Sequence, residues 1–389
     1  MRPARGAAAH RRVRAAHARG RVRMSHGLPS RRRFLLQASL ASLSLPGCFV
    51  RRGAEPFDAV VAHGPVAWDG PRHASLAAAI AAAPATGMRP FRIAVGEGVW
   101  NEKLVVDRPN VQLIGAHRSR CRIGSDRAAG HRRDDGEPWG TWGCASVIVR
   151  APGFRARGLT FENRFDYRAH LVRPALETAG ANGAQAVALM FDAGSDRALI
   201  EDCDIDGHQD TLFAESGRSW LRRCRVRGSV DFVFGAGECV LDDCALVSRF
   251  RPGKERQGYL TAPSTLARHP HGLLLRRCNL LREAEVPDAS VALGRPWRPT
   301  RTFADGRYGD PAVRSSAVFV DCWMDAHIDA NGWDAMQYTA RDGSRVTFAP
   351  REARFAEAGS RGPGALRSEA RPQLDAAEAQ KLRRYQPFR

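Results

Sequence analysis

Five short segments of the chain share one pattern: an apolar residue, two polar residues, Cys, any residue, then an apolar residue. They are Ile200–Ile205, Leu221–Val226, Leu241–Leu246, Leu275–Leu280 and, with one polar residue fewer, Val320–Met324. The cysteines Cys203, Cys224, Cys244, Cys278 and Cys322 are separated by 21, 20, 34 and 44 residues, so a period near 20 carries insertions in its later turns. Gly158–Phe161 and Val111–Gly115 read as earlier turns in which Gly replaces Cys. Short β-type segments at this period, with no amphipathic helix between them, predict an all-β solenoid, a parallel β-helix. Each coil would bury its Cys in an internal stack as a small apolar group, leaving the thiols reduced. Pairing as disulfides is the alternative for an exported protein.

Around this body the pattern predicts two helices. Ser75–Ala83 reads as a short helix capping the N-terminal end of the solenoid, with Ser75 as N-cap. Leu374–Tyr385 reads as a C-terminal helix lying against the coils. The body is expected over 57–365 and a helical tail over 366–389. Residues 124–143, rich in Gly, Asp and Arg, and 282–311, with four Pro, read as insertions on the flank, where solenoids gather functional residues.

Charge changes the picture mainly at the N-terminus. The 389 residues hold 60 Lys and Arg against 41 Asp and Glu, a formal net charge of +19. Eleven of the Arg fall in residues 1–50, which contain no acidic residue; without them the balance is 49 against 41, about +8. A moderately basic body suits an acidic polysaccharide as well as nucleic acid. Residues 1–23 are Arg/Ala-rich and read as an upstream extension of the frame. Residues 24–48 read as an export signal: Arg31-Arg32-Arg33-Phe34 resembles a twin-arginine motif, and Leu45-Pro46-Gly47-Cys48 resembles a lipobox, with Cys48 as the acylated residue. A cleaved signal with an incidental Cys48 is the alternative. Export through a twin-arginine route follows folding in a reducing compartment, which agrees with free thiols. The expected location is therefore the periplasm, the outer membrane or the exterior.

The repeat also makes a geometric prediction. Asp210 lies seven residues after Cys203, and Asp231 seven after Cys224. Stacked Cys would put both carboxylates at one place on adjacent coils, about 4.7–4.9 Å apart. Their titrations would couple, one keeping its proton near neutrality, which supplies an acid and an anionic nucleophile from one residue type. Gln185, in Gln-Ala-Val-Ala-Leu, lies one coil earlier and offers an uncharged donor of the kind a developing oxyanion needs. Arg295 and Trp297 follow, offering a guanidinium for a carboxylate and a face for a sugar ring.

Gln185–Leu189, Gln209-Asp210-Thr211-Leu212, Val230–Gly235 and Leu293-Gly294-Arg295-Pro296-Trp297, in this order, resemble the signature set of the pectin methylesterases. The similarity runs from about His73 to Ala365 and includes Gly98–Glu102 and Phe355–Gly364. The resemblance implies a right-handed parallel β-helix and an aspartyl esterase working without metal or cofactor. It implies Asp231 as the nucleophile on the methyl ester of galacturonate, and Asp210 as general acid and then base. Gln185 and Gln209 match the oxyanion-stabilising glutamines, Arg295 the residue orienting Asp231, and Trp297 the aromatic wall. Phe213, Phe232 and Trp333 are expected to line the groove. Trp100 stands where the family usually has Tyr, and Met190 where a basic residue often follows the Gln motif. The implied partner is methyl-esterified homogalacturonan, taken by a monomer, with no nucleic acid and with membrane attachment only through Cys48.

Competing readings keep the scaffold and change the chemistry. A pectate lyase or polygalacturonase would share the solenoid, and a glycosidase would use paired carboxylates, but no further Asp cluster serves either. A lipid-anchored envelope protein without catalysis, or with another ester substrate, is the alternative from a different class. The twelve His show no zinc-type spacing, and no Gly-rich phosphate loop precedes a helix.

Overall fold

In this computed structural model, residues 56–173 and 183–388 are described; the extension, export signal and Cys48 lie outside them. Three parallel sheets of ten, eight and seven strands run the length of the body. Each central coil gives one strand to each sheet. Ala198–Glu201, Asp204–Asp206 and Leu212–Ala214 make one coil, and Arg218–Arg222, Arg225–Gly228 and Val233–Gly235 the next. Pairing between coils is parallel and in register, so Ile200, Leu221, Leu241, Leu275 and Phe319 form one inward column and Ile205, Val226, Leu246, Leu280 and Met324 another. These columns are the core: every member is sealed from solvent, and a period-2 strand repeated coil on coil stacks like on like. The architecture is the expected parallel β-helix.

The cysteine column is present. All eight described cysteines are free and buried. Cys224, Cys244, Cys278 and Cys322 each donate a thiol hydrogen bond to a carbonyl of the preceding coil, those of Ile200, Leu221, Leu241 and Leu275, at 3.4–3.5 Å. Burial in this apolar stack pushes the thiols of Cys203, Cys224, Cys244 and Cys278 well above the usual range. One detail departs from expectation. Thr160 pairs with Asp204, so Leu159, not Gly158, occupies the cysteine position. Gly158 instead shares a column with Asp202, Arg223, Asp243, Arg277 and Asp321, all in left-handed backbone at φ between 51° and 68°. That column is the tight turn between two sheets, where Gly costs least and Asp is tolerated.

The outer face of the first sheet alternates in charge from coil to coil: Arg157, Glu201, Arg222, Asp242, Arg276. Ion pairs bridge Arg222 to Glu201 at 3.1 Å and Arg276 to Asp242 at 2.6 Å. A slip by one coil would set like charges against each other, so the alternation specifies register.

Helices pack on the body near both ends of the chain. The N-terminal helix spans Leu76–Ala81, with Ser75 Oγ accepting from the Ala78 amide at 3.0 Å, and it buries Leu76, Ala79 and Ile80. The C-terminal helix Ala376–Arg384 lies on the first sheet, packing Leu382 and Tyr385 against Val240, Leu274 and Val320. The Tyr385 amide donates to the Leu382 carbonyl, and the other carbonyls of the last turn have no intrahelical partner. Arg276 supplies one, donating to the carbonyls of Leu382, Arg383 and Tyr385 at 3.2, 3.2 and 2.6 Å. Arg371 is buried and clasps Glu357 in two hydrogen bonds of 2.7 and 2.8 Å, which ties the tail to the last coil.

Candidate active site

The site begins with two glycines. Gly207 and Gly228 each follow the register pair Asp206–Arg227 on neighbouring coils, and each stands three residues before an aspartate. A Cβ at Gly228 would lie 2.1 Å from that of Phe232, so only glycine lets the chain fold back this tightly. The turn then passes through left-handed backbone at Asp210 (φ 64°) and Asp231 (φ 50°). Thr211 locks the first turn, donating its hydroxyl between the carbonyls of His208 and Arg227. Leu212 pairs with Val233, and two residues back the same register sets Asp210 against Asp231 on neighbouring coils. The equal offset from stacked cysteines therefore does bring the two carboxylates together.

Their surroundings differ. Arg295 donates to both oxygens of Asp231, Nε at 2.9 Å and Nη2 at 2.6 Å, in the planar two-point geometry of a guanidinium on a carboxylate. The guanidinium lies over the Tyr259 ring, 3.9 Å from its centroid. Asp210 has no ion pair among the described residues. Burial, and then the charge of Asp231, push its carboxyl well above the ordinary range, with Arg295 opposing. One carboxyl is thus set to hold a proton beside another that carries a fitted counter-charge.

Gln209 precedes Asp210, and Gln185 sits on the coil before, where Ala186 donates to the Gln209 carbonyl at 3.1 Å. Both are half-buried, and neither side-chain amide is engaged in a hydrogen bond among the described residues. Two free amide donors therefore flank the aspartates. His208 is buried and stacked on Tyr167, with ring centroids 4.9 Å apart. Burial and four surrounding arginines depress it to about 2, so it stays neutral.

On the outer face of the third sheet Ile148, Met190, Phe213, Phe234 and Ala262 form an apolar column along the solenoid axis. Trp297 closes over it, 6.3 Å from Phe213 and 5.7 Å from Phe234. Phe213 and Trp297 thus stand where the sequence places them. Phe232 and Trp333, expected in the groove from the sequence, lie in the core instead. Phe232 follows an outward-facing aspartate, so its own side chain turns into the core. Trp333 is likewise a core residue, stacked on Phe355 at 4.2 Å.

Three aromatic residues of the site went unseen in the sequence. Trp142, 40% exposed, stands edge-on to Phe213 at 5.1 Å, and Trp139 packs on the same column. Both belong to the 124–143 insertion, whose position on the functional flank was the available signal. Tyr259 holds the column position after Asp231, since Val233 pairs with Thr261. The insertion before it moves it fifteen residues past Cys244, instead of seven, and so hides the relationship.

A family model described as Pectinesterase matches residues 60–372. The chain belongs to the pectinesterase family. As a pectinesterase it is a carboxylic ester hydrolase. It is 40% identical over 315 residues to Pectinesterase A of Dickeya dadantii (strain 3937), covering 80% of this chain and 85% of that one. It is 29% identical over 308 residues to a pectinesterase of Petunia integrifolia, covering 77% and 71%. Among solved structures it resembles the pectin methylesterase PemA from Erwinia chrysanthemi, with a TM-score of 0.80 and 39% identity over 86% of this pectinesterase and 99% of that chain. The pectin methylesterase from Yersinia enterocolitica matches with a TM-score of 0.77 and 42% identity, covering 79% and 96%. A further match, at 39% identity and TM-score 0.80 over 86% and 99%, is a pectin methylesterase in complex with a hexasaccharide.

Proposed function

We propose that this pectinesterase hydrolyses the methyl esters of galacturonate in pectin through an acyl-enzyme on Asp231. The observation that carries the reading is the register-matched carboxylate pair with unequal partners, Asp231 on Arg295 and Asp210 without an ion pair among the described residues. An Asp231 oxygen attacks the ester carbonyl carbon, and the electron pair moves to the carbonyl oxygen. The amides of Gln185 and Gln209 donate to that oxyanion, a contribution that is greatest as charge develops. Asp210 gives its proton to the methoxy oxygen, the C–O bond breaks and methanol leaves. Asp210, now a carboxylate, takes a proton from water, which attacks the acyl carbon. Asp231 departs as carboxylate, and Asp210 is left protonated for the next cycle.

The apolar column under Trp297 and Trp142 supports a sugar-binding groove, since aromatic faces accept the apolar face of a ring. The partner in this reading is methyl-esterified homogalacturonan, taken by a monomer. Export, with lipid attachment at Cys48, belongs to the same reading and rests on residues 24–48 alone.

Methanol release from highly methylated pectin tests the esterase. The wild type should release it, and Asp231→Ala should lose at least about a thousandfold in kcat, as removal of a nucleophile does. A folded wild type that releases no methanol, while another ester or no ester is cleaved, would overturn the assignment.

A further inference from the structure

Two neighbours hold the Arg295 guanidinium, and they do so in different ways. Its Nε and Nη2 donate within the guanidinium plane to the Asp231 carboxylate, at 2.9 and 2.6 Å. The Tyr259 ring meets the guanidinium from another side, with its centroid 3.9 Å from the guanidinium carbon. Among the described residues the guanidinium has no other hydrogen-bond partner. Tyr259 is itself firmly placed. A Cβ at Gly258 would lie 1.8 Å from the Ser229 carbonyl oxygen, so the strand Gly258–Pro263 runs close against the turn that leads to Asp231. The Tyr259 amide donates to that same carbonyl at 3.0 Å. Just before it, the buried Gln257 side chain pins the returning insertion, accepting from the Arg251 amide at 2.7 Å and donating to its carbonyl at 3.1 Å.

The order of the column gives this contact a consequence. Asp210, Asp231 and Tyr259 occupy one position on three successive coils. Tyr259 and Asp210 therefore stand on opposite sides of Asp231, roughly 10 Å apart along the axis at the usual strand spacing. The negative charge does not stay in one place during turnover. When an Asp231 oxygen bonds to the acyl carbon, its carboxylate becomes part of an uncharged anhydride. Asp210 gives its proton to the departing methoxy oxygen and becomes the anion. The counter-charge for Arg295 thus moves one coil, away from Tyr259. Arg295 already acts on Asp210, opposing the burial and the Asp231 charge that raise its carboxyl. An arginine free to follow the charge would pair with Asp210 and weaken the base that deacylation needs. Of its two tethers, the attraction to the Tyr259 ring is the one that does not depend on a charge at Asp231.

We propose that Tyr259 is a positioning residue that keeps Arg295 beside Asp231 in the acyl-enzyme, so that Asp210 stays unpaired and acts as base on the incoming water. The inference rests on the acyl-enzyme reading and deepens it. The ring face does this work and the hydroxyl does not, so phenylalanine serves at this position and an aliphatic residue does not.

The experiment follows methanol release from highly methylated pectin by rapid quench and in steady state. In Tyr259→Leu, kcat should fall about tenfold and KM with it, leaving kcat/KM within about threefold of wild type, since acylation still finds Arg295 on an ionised Asp231. Methanol leaves during acylation, so slowed deacylation should appear as an enlarged burst approaching about one methanol per enzyme. Tyr259→Phe should restore the wild-type kcat and burst. Tyr259→Met, of similar reach and without a ring, takes the place of Tyr259→Leu if that variant does not fold. An unchanged kcat in a folded ringless variant overturns the role. A fall in kcat/KM equal to the fall in kcat, with no enlarged burst, also overturns it, as does failure of Tyr259→Phe to restore turnover. Methanol release by the wild type, and its loss in Asp231→Ala, reports the esterase reading separately, because the role of Tyr259 is read only from differences among variants that turn over.

Discussion

Arg295 grips Asp231 through two hydrogen bonds, 2.9 and 2.6 Å, and leaves Asp210, one coil away at the same register, without an ion pair among the described residues. Identical side chains on a repeating scaffold acquire different roles because one arginine, placed just after the sheet strand Val291–Gly294, reaches only one of them. Arg295→Lys should keep the charge and lose the two-point geometry, since an ammonium cannot present parallel donors. We expect kcat to fall about a hundredfold, with a much smaller change in KM, in steady-state methanol release. Arg295→Met leaves a buried carboxylate unpaired and should also lower folding stability by about 2–4 kcal/mol in denaturant titration. Equal activity for Lys and wild type would remove the orienting role.

Asp210 yields a pH prediction. Its folded-state pKa is raised, by burial first and by Asp231 second. A raised carboxyl contributes fully below its unfolded value, and its contribution is lost as pH rises through the folded value. Asp210→Asn, which cannot ionise, should therefore gain stability relative to wild type as pH increases, with the difference smallest in acid. Thermal melts from pH 4 to pH 9 would show a widening gap in favour of the variant. Activity of the wild type should fall along an alkaline limb as the proton is lost, and Asp210→Asn should be nearly inactive throughout.

Trp142 tests the groove. It is exposed, touches Phe213 edge-on and stands 6.2 Å from Trp297. It supports no core, so Trp142→Ala should leave the melting temperature within a few degrees of wild type. Loss of an aromatic face worth about 1 kcal/mol should raise KM on pectin several-fold, with kcat little changed. A change confined to kcat would mean that Trp142 acts on the reacting centre instead.

The thiol column predicts inertness and a packing cost. Cys203, Cys224, Cys244, Cys278 and Cys322 are sealed in the core, so none should react with a thiol reagent until the protein is denatured. Cys244→Ala leaves a small void between coils and should cost about 1–2 kcal/mol. Recovery of these cysteines as disulfides from non-reduced protein would contradict the stack.

Much of this was legible along the chain because a solenoid writes its structure locally. The period of the cysteines reports the coil length, and the shared seven-residue offset of Asp210 and Asp231 reports their proximity, since in-register stacking turns sequence offset into spatial position. Motif resemblance supplied roles that spacing could not. What stayed hidden lies where insertions break the period. Tyr259 occupies the next place in the aspartate column, but the residues inserted before it displace it in sequence. Facing direction was also hidden: left-handed turns at Asp210 and Asp231 interrupt strict alternation, so Phe232 turns inward and Phe213 outward. The sequence by itself determined the repeat, the buried thiol column and the pairing of the two aspartates. Only the tertiary structure decided which aspartate has a counter-charge and which aromatics face the groove. Those contacts join loops far apart in the chain, and no local period encodes them.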